Sequence, residues 1–137
     1  MYEKIMVPVD LAHVEPLDKA LTTAADLAKH YGIPVCYVGV TDSAPSEVAH
    51  TPQEFAAKLE QFGQQQAQRH GHQVASFAVT SHDVAVDLDA KLRRVIGEVG
   101  ADLVVMGSHV PGLPEHLFAS NAGYVASHAK VSVLVVR

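Results

Sequence analysis

Four times along this chain a short apolar run is followed by a longer stretch whose apolar residues recur at helical spacing, and a fifth apolar run follows them. The first run, "YEKIMVPVD" (2–10), sets Ile5, Met6, Val7 and Val9 side by side, with Pro8 near the end, where a missing donor does least harm. From Pro16 the apolar positions Leu17, Ala20, Leu21, Ala24, Leu27, Ala28 and Tyr31 form one helical stripe, closed by Gly32. "IPVCYVGVT" (33–41) reads as a second strand and "DSAPSEVAHTPQ" as a polar loop with two prolines. Phe55, Leu59 and Phe62 then mark a Gln-rich helix to about Arg69, broken by "HGH" at 70–72. "QVASFAVT" (73–80) is a third strand. Val84, Leu88, Leu92, Val95 and Ile96 mark a third helix ending at Gly97 to Gly100, and "ADLVVMG" (101–107) is a fourth strand. A fourth helix is expected from Leu117 to His128, and a last strand in "VSVLVVR" (131–137).

Strands that do not alternate polar with apolar must be covered on both faces. The pattern therefore predicts a doubly wound α/β domain: a parallel sheet with helices on both sides, joined by right-handed crossovers. A chain of 137 residues fits one such domain over 1–137. The closing strand raises a separate question. Val131, Val133 and Val135 in an edge strand with no following helix would leave an adhesive rim, and the simplest cover is the same strand of a second copy, making a homodimer with these three valines at the interface.

Composition removes several function classes. No apolar run approaches the roughly 20 residues of a membrane span, and "MYEKIMVPVD" lacks a secretory pattern, so a cytoplasmic location is expected. Cys36, the single cysteine, lies in an apolar strand and reads as a buried thiol. With 10 basic against 15 acidic residues and no basic block, the chain carries no electrostatic footprint for nucleic acid. Among nine histidines, "HGH" offers two ligands in a turn, whereas a structural metal site needs about four; no metal is expected. His128 reads as a helix C-terminal residue that suits the dipole.

In open parallel sheets ligands bind beyond the carboxyl ends of the strands, where the winding reverses. Asp10 follows the first strand, Val40, Thr41 and Asp42 end the second, and Gly107, Ser108 and His109 follow the fourth. Backbone near Pro8 and Val9 is then a candidate surface for a flat ring, with the Asp10 carboxylate accepting from a sugar hydroxyl. Equally, Asp10 at a strand end bonds its own turn or caps the next helix. Gly107 permits close backbone approach to a ligand and Gly112 adds a flexible point. Ser120 and Asn121 near the start of the fourth helix offer donors at its positive end. The plain alternative is an ordinary turn with a capped helix.

Three segments carry a family resemblance: "KIMVPVD" at the start, "ADLVVMGSH" before the loop and "HAKVSVLVVR" at the end. In order and spacing the whole chain resembles a universal stress protein, and "SHVPGLPEHLFASNAG" is most similar to the F/G-type nucleotide-binding branch. That resemblance implies a five-stranded, Rossmann-like parallel sheet of order 3-2-1-4-5 and a cytoplasmic homodimer, or a higher oligomer, acting as a stress-response signalling module toward a protein partner not named by the sequence. It implies an adenine nucleotide, ATP first and ADP or AMP as alternatives, with magnesium as an accompanying ion. Asp10 would contact the ribose, Val40 and Met106 would border adenine, and Gly107, Ser108 and His109 with Ser120 and Asn121 would hold phosphates.

The family's motif, G-2x-G-9x-G-(S/T), is met in part. Gly107 supplies the first glycine, Val110 stands at the second, the loop is one residue shorter, and Ala119 replaces the glycine before Ser120. A positive φ at Ala119 would cost about 1 kcal/mol, which weakens a site with several donors without emptying it. These departures keep a second reading open: a nucleotide-free universal stress protein acting through protein contacts. A third, slow ATP hydrolysis or self-phosphorylation at Ser108 or Ser120, lacks a Walker lysine and a metal-binding acidic pair. No catalytic residue is assigned. A phosphoreceiver needs paired acids after the first strand, and a dinucleotide reader needs glycines in "DLAHVEP"; neither is present.

Overall fold

The computed structural model of the chain describes residues 1–82, 84–108 and 122–137, the side chains of 84–89 excepted. Its strands are β1 (Ile5–Pro8), β2 (Val35–Asp42), β3 (Val74–Ser81), β4 (Leu103–Gly107) and β5 (Ser132–Val136), and its helices are α1 (Asp18–Tyr31), α2 (Pro52–His70), α3 (Val84–Val99) and α4 (Ala122–His128). A 3-10 turn over Glu15–Leu17 leads into α1. The sheet is five-stranded and parallel in the order β3-β2-β1-β4-β5, as expected, with Ile5 opposite both Val35 and Leu103.

The continuous apolar runs of the central strands follow from their having two buried faces. Ile5, Val7, Val35, Tyr37, Leu103 and Val105 pack on α1 and α2 through Leu21, Ala24, Phe55 and Leu59. Their strand neighbours Met6, Cys36, Val38, Val104 and Met106 pack on α3 and α4 through Leu92, Val95, Ile96 and Val125. Each large apolar side chain fully removed from water contributes about 1.5–3 kcal/mol, so no position in these runs tolerates a polar residue cheaply. Cys36 is a free, buried thiol whose pKa burial raises.

Helix ends follow the local signals in the sequence. Thr51 caps α2, its side chain accepting from Glu54 N at 3.0 Å, with Pro52 in the first turn. Gly32 and Gly71 end α1 and α2 in the left-handed conformation, at φ +66 and +76. The third helix ends within the expected stretch: α3 runs through Gly97 to Val99, and Gly100, at φ +69, lies just beyond its end. Gly97 sits over open space, so its missing side chain removes no packing that would stop the helix.

At Gly39 in β2 an added Cβ would stand 2.8 Å from Cζ and 2.9 Å from Cε1 of Phe55, which rests on bare backbone. In β5, Val131, Val133 and Val135 are half-buried and pack against the α3/α4 side of the core, while Leu134 is 38% exposed. The three valines assigned to an interface are thus partly covered by the chain's own helices. β5 pairs with β4 alone, in agreement with its expected place at the rim.

Candidate nucleotide-binding site at the carboxyl ends of the strands

The winding reverses between β1 and β4, the point at which open parallel sheets place their ligands. Val9 N donates to Val38 O at 2.8 Å, so its donor is used within the fold, and Pro8 and Val9 are both buried. Asp10 closes the turn that leaves β1. Its Oδ1 accepts from Ala12 N at 3.0 Å, its Oδ2 lies 3.0 Å from His13 Nδ1, and its carbonyl accepts from His13 N. The side chain of Asp10 is 11% exposed and that of His13 50%. The turn-closing role open to a strand-end aspartate is the one this structure displays, with the carboxylate still bordering a cleft.

That cleft, of about 340 Å3, lies between the exits of β1 and β2. Asp10 and Ala12 form one wall, Val40 and Thr41 the sheet side, and Asp42, Ser46, Glu47 and Phe55 the other wall. Asp42 closes a second turn, its Oδ1 accepting from Ala44 N at 3.1 Å. Ser46 is fixed in turn, its N donating to Ala49 O at 2.8 Å. Both loops are therefore held by their own short polar residues rather than by chain length alone.

Of the residues expected to meet a ligand, Asp10 and Val40 line this cleft. Met106 does not. It is wholly buried, like Val104 on the same face of β4, in the α3/α4 side of the core. Gly107 is buried against the start of α1, where an added Cβ would stand 2.9 Å from Leu17 Cδ2. Ser108 N donates to Val136 O at 2.8 Å. His109, Gly112, Ser120 and Asn121 lie outside the described residues.

Sequence reasoning did not single out Ala12, Ser46, Glu47 or Phe55. "DSAPS" carried a signal for the Asp42 turn, but the return of Phe55 to β2 depends on the missing side chain of Gly39, in the preceding strand and across the loop from it. His128 stands in the last turn of α4, as expected, its Nδ1 2.9 Å from Tyr124 O and its ring stacked on Tyr124 at 3.9 Å between centroids. Among the described residues no group of three or more His, Cys, Asp and Glu is arranged to hold a metal, and no helix is long and apolar enough to cross a membrane.

The universal stress protein family model matches residues 1–137. Universal stress protein G of Salmonella typhimurium is 33% identical over 146 residues, covering 100% of both chains. Two solved structures share the fold. The universal stress protein from Archaeoglobus fulgidus in complex with dAMP has TM-score 0.69 at 19% identity, over 99% of this chain and 98% of that one. A universal stress protein in complex with cAMP has TM-score 0.69 at 20% identity, over 99% and 97%. A family match across every residue, a full-length relative at one-third identity and the 3-2-1-4-5 sheet agree: the chain belongs to the universal stress protein family.

Proposed function

We propose that this chain binds an adenine nucleotide, ATP foremost with ADP and AMP as alternatives, with adenosine in the cleft between β1 and β2 and phosphates beyond β4. The observation that carries this reading is the sign of the cleft. Asp10, Asp42 and Glu47 all line it, so it repels phosphate and suits groups that donate, such as ribose hydroxyls and an exocyclic amine. Val40 and Phe55 supply apolar surface for a flat ring. The phosphates then belong with the segment after Gly107, where Ser108, His109, Gly112, Ser120 and Asn121 are the candidate donors and magnesium accompanies a triphosphate. Pro8, Val9 and Met106 act from beneath, fixing the floor. The dAMP and cAMP complexes of structural relatives support the choice of adenine.

In this reading the chain is a cytoplasmic signalling module of the stress response. It works as a homodimer joined at β5, and its nucleotide state is sensed by a protein partner. The test is thermal: ATP with magnesium raises the melting temperature, and Asp10→Ala removes the rise.

A nucleotide-free module acting by protein contact is the second reading. It is favoured by the engagement of both Asp10 oxygens within their own turn and by Val110 and Ala119 in place of motif glycines. No thermal shift at millimolar ATP would select it.

A further inference from the structure

A second cleft, of about 720 Å3, opens at the other end of the sheet, beside the residues that precede β4 and β5. Its volume falls within the roughly 300–1,000 Å3 of small-molecule sites. α3 contributes Arg93 and Arg94, and the α4–β5 turn contributes Lys130, so three of the chain's ten Lys and Arg residues converge from two elements. Arg94 pairs with Glu98 at 3.3 Å, whereas Arg93 and Lys130 have no carboxylate partner among the described residues. Among the described residues no acidic side chain lines the cleft, in a chain whose net charge is −5. The floor is apolar, formed by Ile96 and Val131, and the space is kept clear at Gly97, where an added Cβ would meet nothing within 4 Å.

We propose that this cleft is a second ligand site, for a small amphiphilic anion. A carboxylate or phosphate head sits among Arg93, Arg94 and Lys130, and an acyl or aromatic body lies against Ile96 and Val131. Gathering like charges on two elements raises the energy of the empty surface, and an anion relieves it; the apolar floor adds attraction in proportion to the area it covers. A nucleotide is the poorer match here, because none of the described lining residues is a carboxylate that would accept from a sugar or base. The inference stands apart from the adenine-nucleotide reading, since the two clefts share no residue.

The experiment titrates the full chain at low salt with 1-anilinonaphthalene-8-sulfonate, an anionic arene, read by fluorescence. One equivalent is expected to bind. Affinity falls about tenfold or more in Arg93→Gln/Lys130→Gln, and binding is lost in Gly97→Leu, whose side chain fills the cleft. Dodecanoate and dodecyl phosphate displace the dye, their relative strength reporting which head group is preferred, while dodecanol and saturating ATP with magnesium do not. Melting temperature and solution mass confirm that each variant keeps its fold and assembly, and Ala90→Leu serves as the filling variant if Gly97→Leu does not. Several weak equivalents, displacement by dodecanol or by ATP, or affinity unchanged by removing the two charges would overturn the proposal.

Discussion

Leu17 lies directly over Gly107: its Cδ2 would stand 2.9 Å from a Cβ at that position, and Leu17 itself is only 2% exposed. The last residue of β4 and the turn that begins α1 are therefore fitted to one another at the point where the winding reverses. Gly107→Ala is expected to destabilise the fold by about 1–3 kcal/mol, the usual cost of overpacking a filled site. Leu17→Val lowers stability on its own, and the double variant should be more stable than the sum of the two single effects predicts. Thermal or urea unfolding of the four proteins measures the coupling, and simple additivity would contradict it.

Asp10 has two separable roles, closing its turn and facing the cleft. His13→Ala removes one partner of its Oδ2 and leaves the Ala12 N bond in place. We expect ATP with magnesium to stabilise the wild type and His13→Ala alike, approaching about 2.7 kcal/mol at a hundredfold excess over Kd. Asp10→Ala loses this response. Scanning calorimetry across a nucleotide series distinguishes the variants, and a response lost equally in His13→Ala would show that the turn, not a carboxylate facing the cleft, is what matters.

Tyr37 Oη lies 2.9 Å from His72 Nε2, and His72 Nδ1 is buried with no partner among the described residues. Burial first, then the charges of His70 and Lys29, lower the pKa of this ring from its ordinary 6.5. The unfolded chain therefore binds a proton here before the folded chain does, and a charged ring would bury a second N–H unpaired. Stability is full above about pH 6.5 and falls as pH drops through the folded value. Melting curves between pH 8 and about 5 should show this loss, and His72→Gln should flatten it. A wild-type curve that rises on acidification would reverse the assignment.

Leu134 is 38% exposed on an edge strand whose other apolar residues pack inward. Light scattering is expected to give a two-subunit mass for the wild type and a single-subunit mass for Leu134→Lys, with unchanged helix content by circular dichroism. Val133→Lys, by contrast, should cost stability within the subunit, because Val133 packs on the α3/α4 side of the core. A monomeric wild type would remove the case for pairing through β5.

The sheet was legible because its central strands are apolar on both faces and its helices carry a single stripe; five strand-like runs between such stripes admit few alternatives, even though β3 alternates. Helix ends were legible where Gly32, Gly71 and Thr51 supplied chemistry, and between Gly97 and Gly100, where α3 passes the first glycine and stops before the second. That Asp10 and Val40 line one cleft was legible from their places at strand ends, whereas the complete burial of Met106 under α3 and α4 depends on helix placement that a strand-end position does not encode. The walls formed by Ser46, Glu47 and Phe55 depend on how a long loop folds back, which apolar periodicity does not encode.

Phe55 touches both the bare backbone of Gly39 and the cleft beside Asp10. The side of the cleft formed by Phe55 is thus set by how closely its ring can approach a residue without a side chain. Any residue larger than glycine at that point lifts the ring, and the helix bearing it, away from the strand. The docking of α2 on β2 and the position of one wall of the cleft therefore share a single contact.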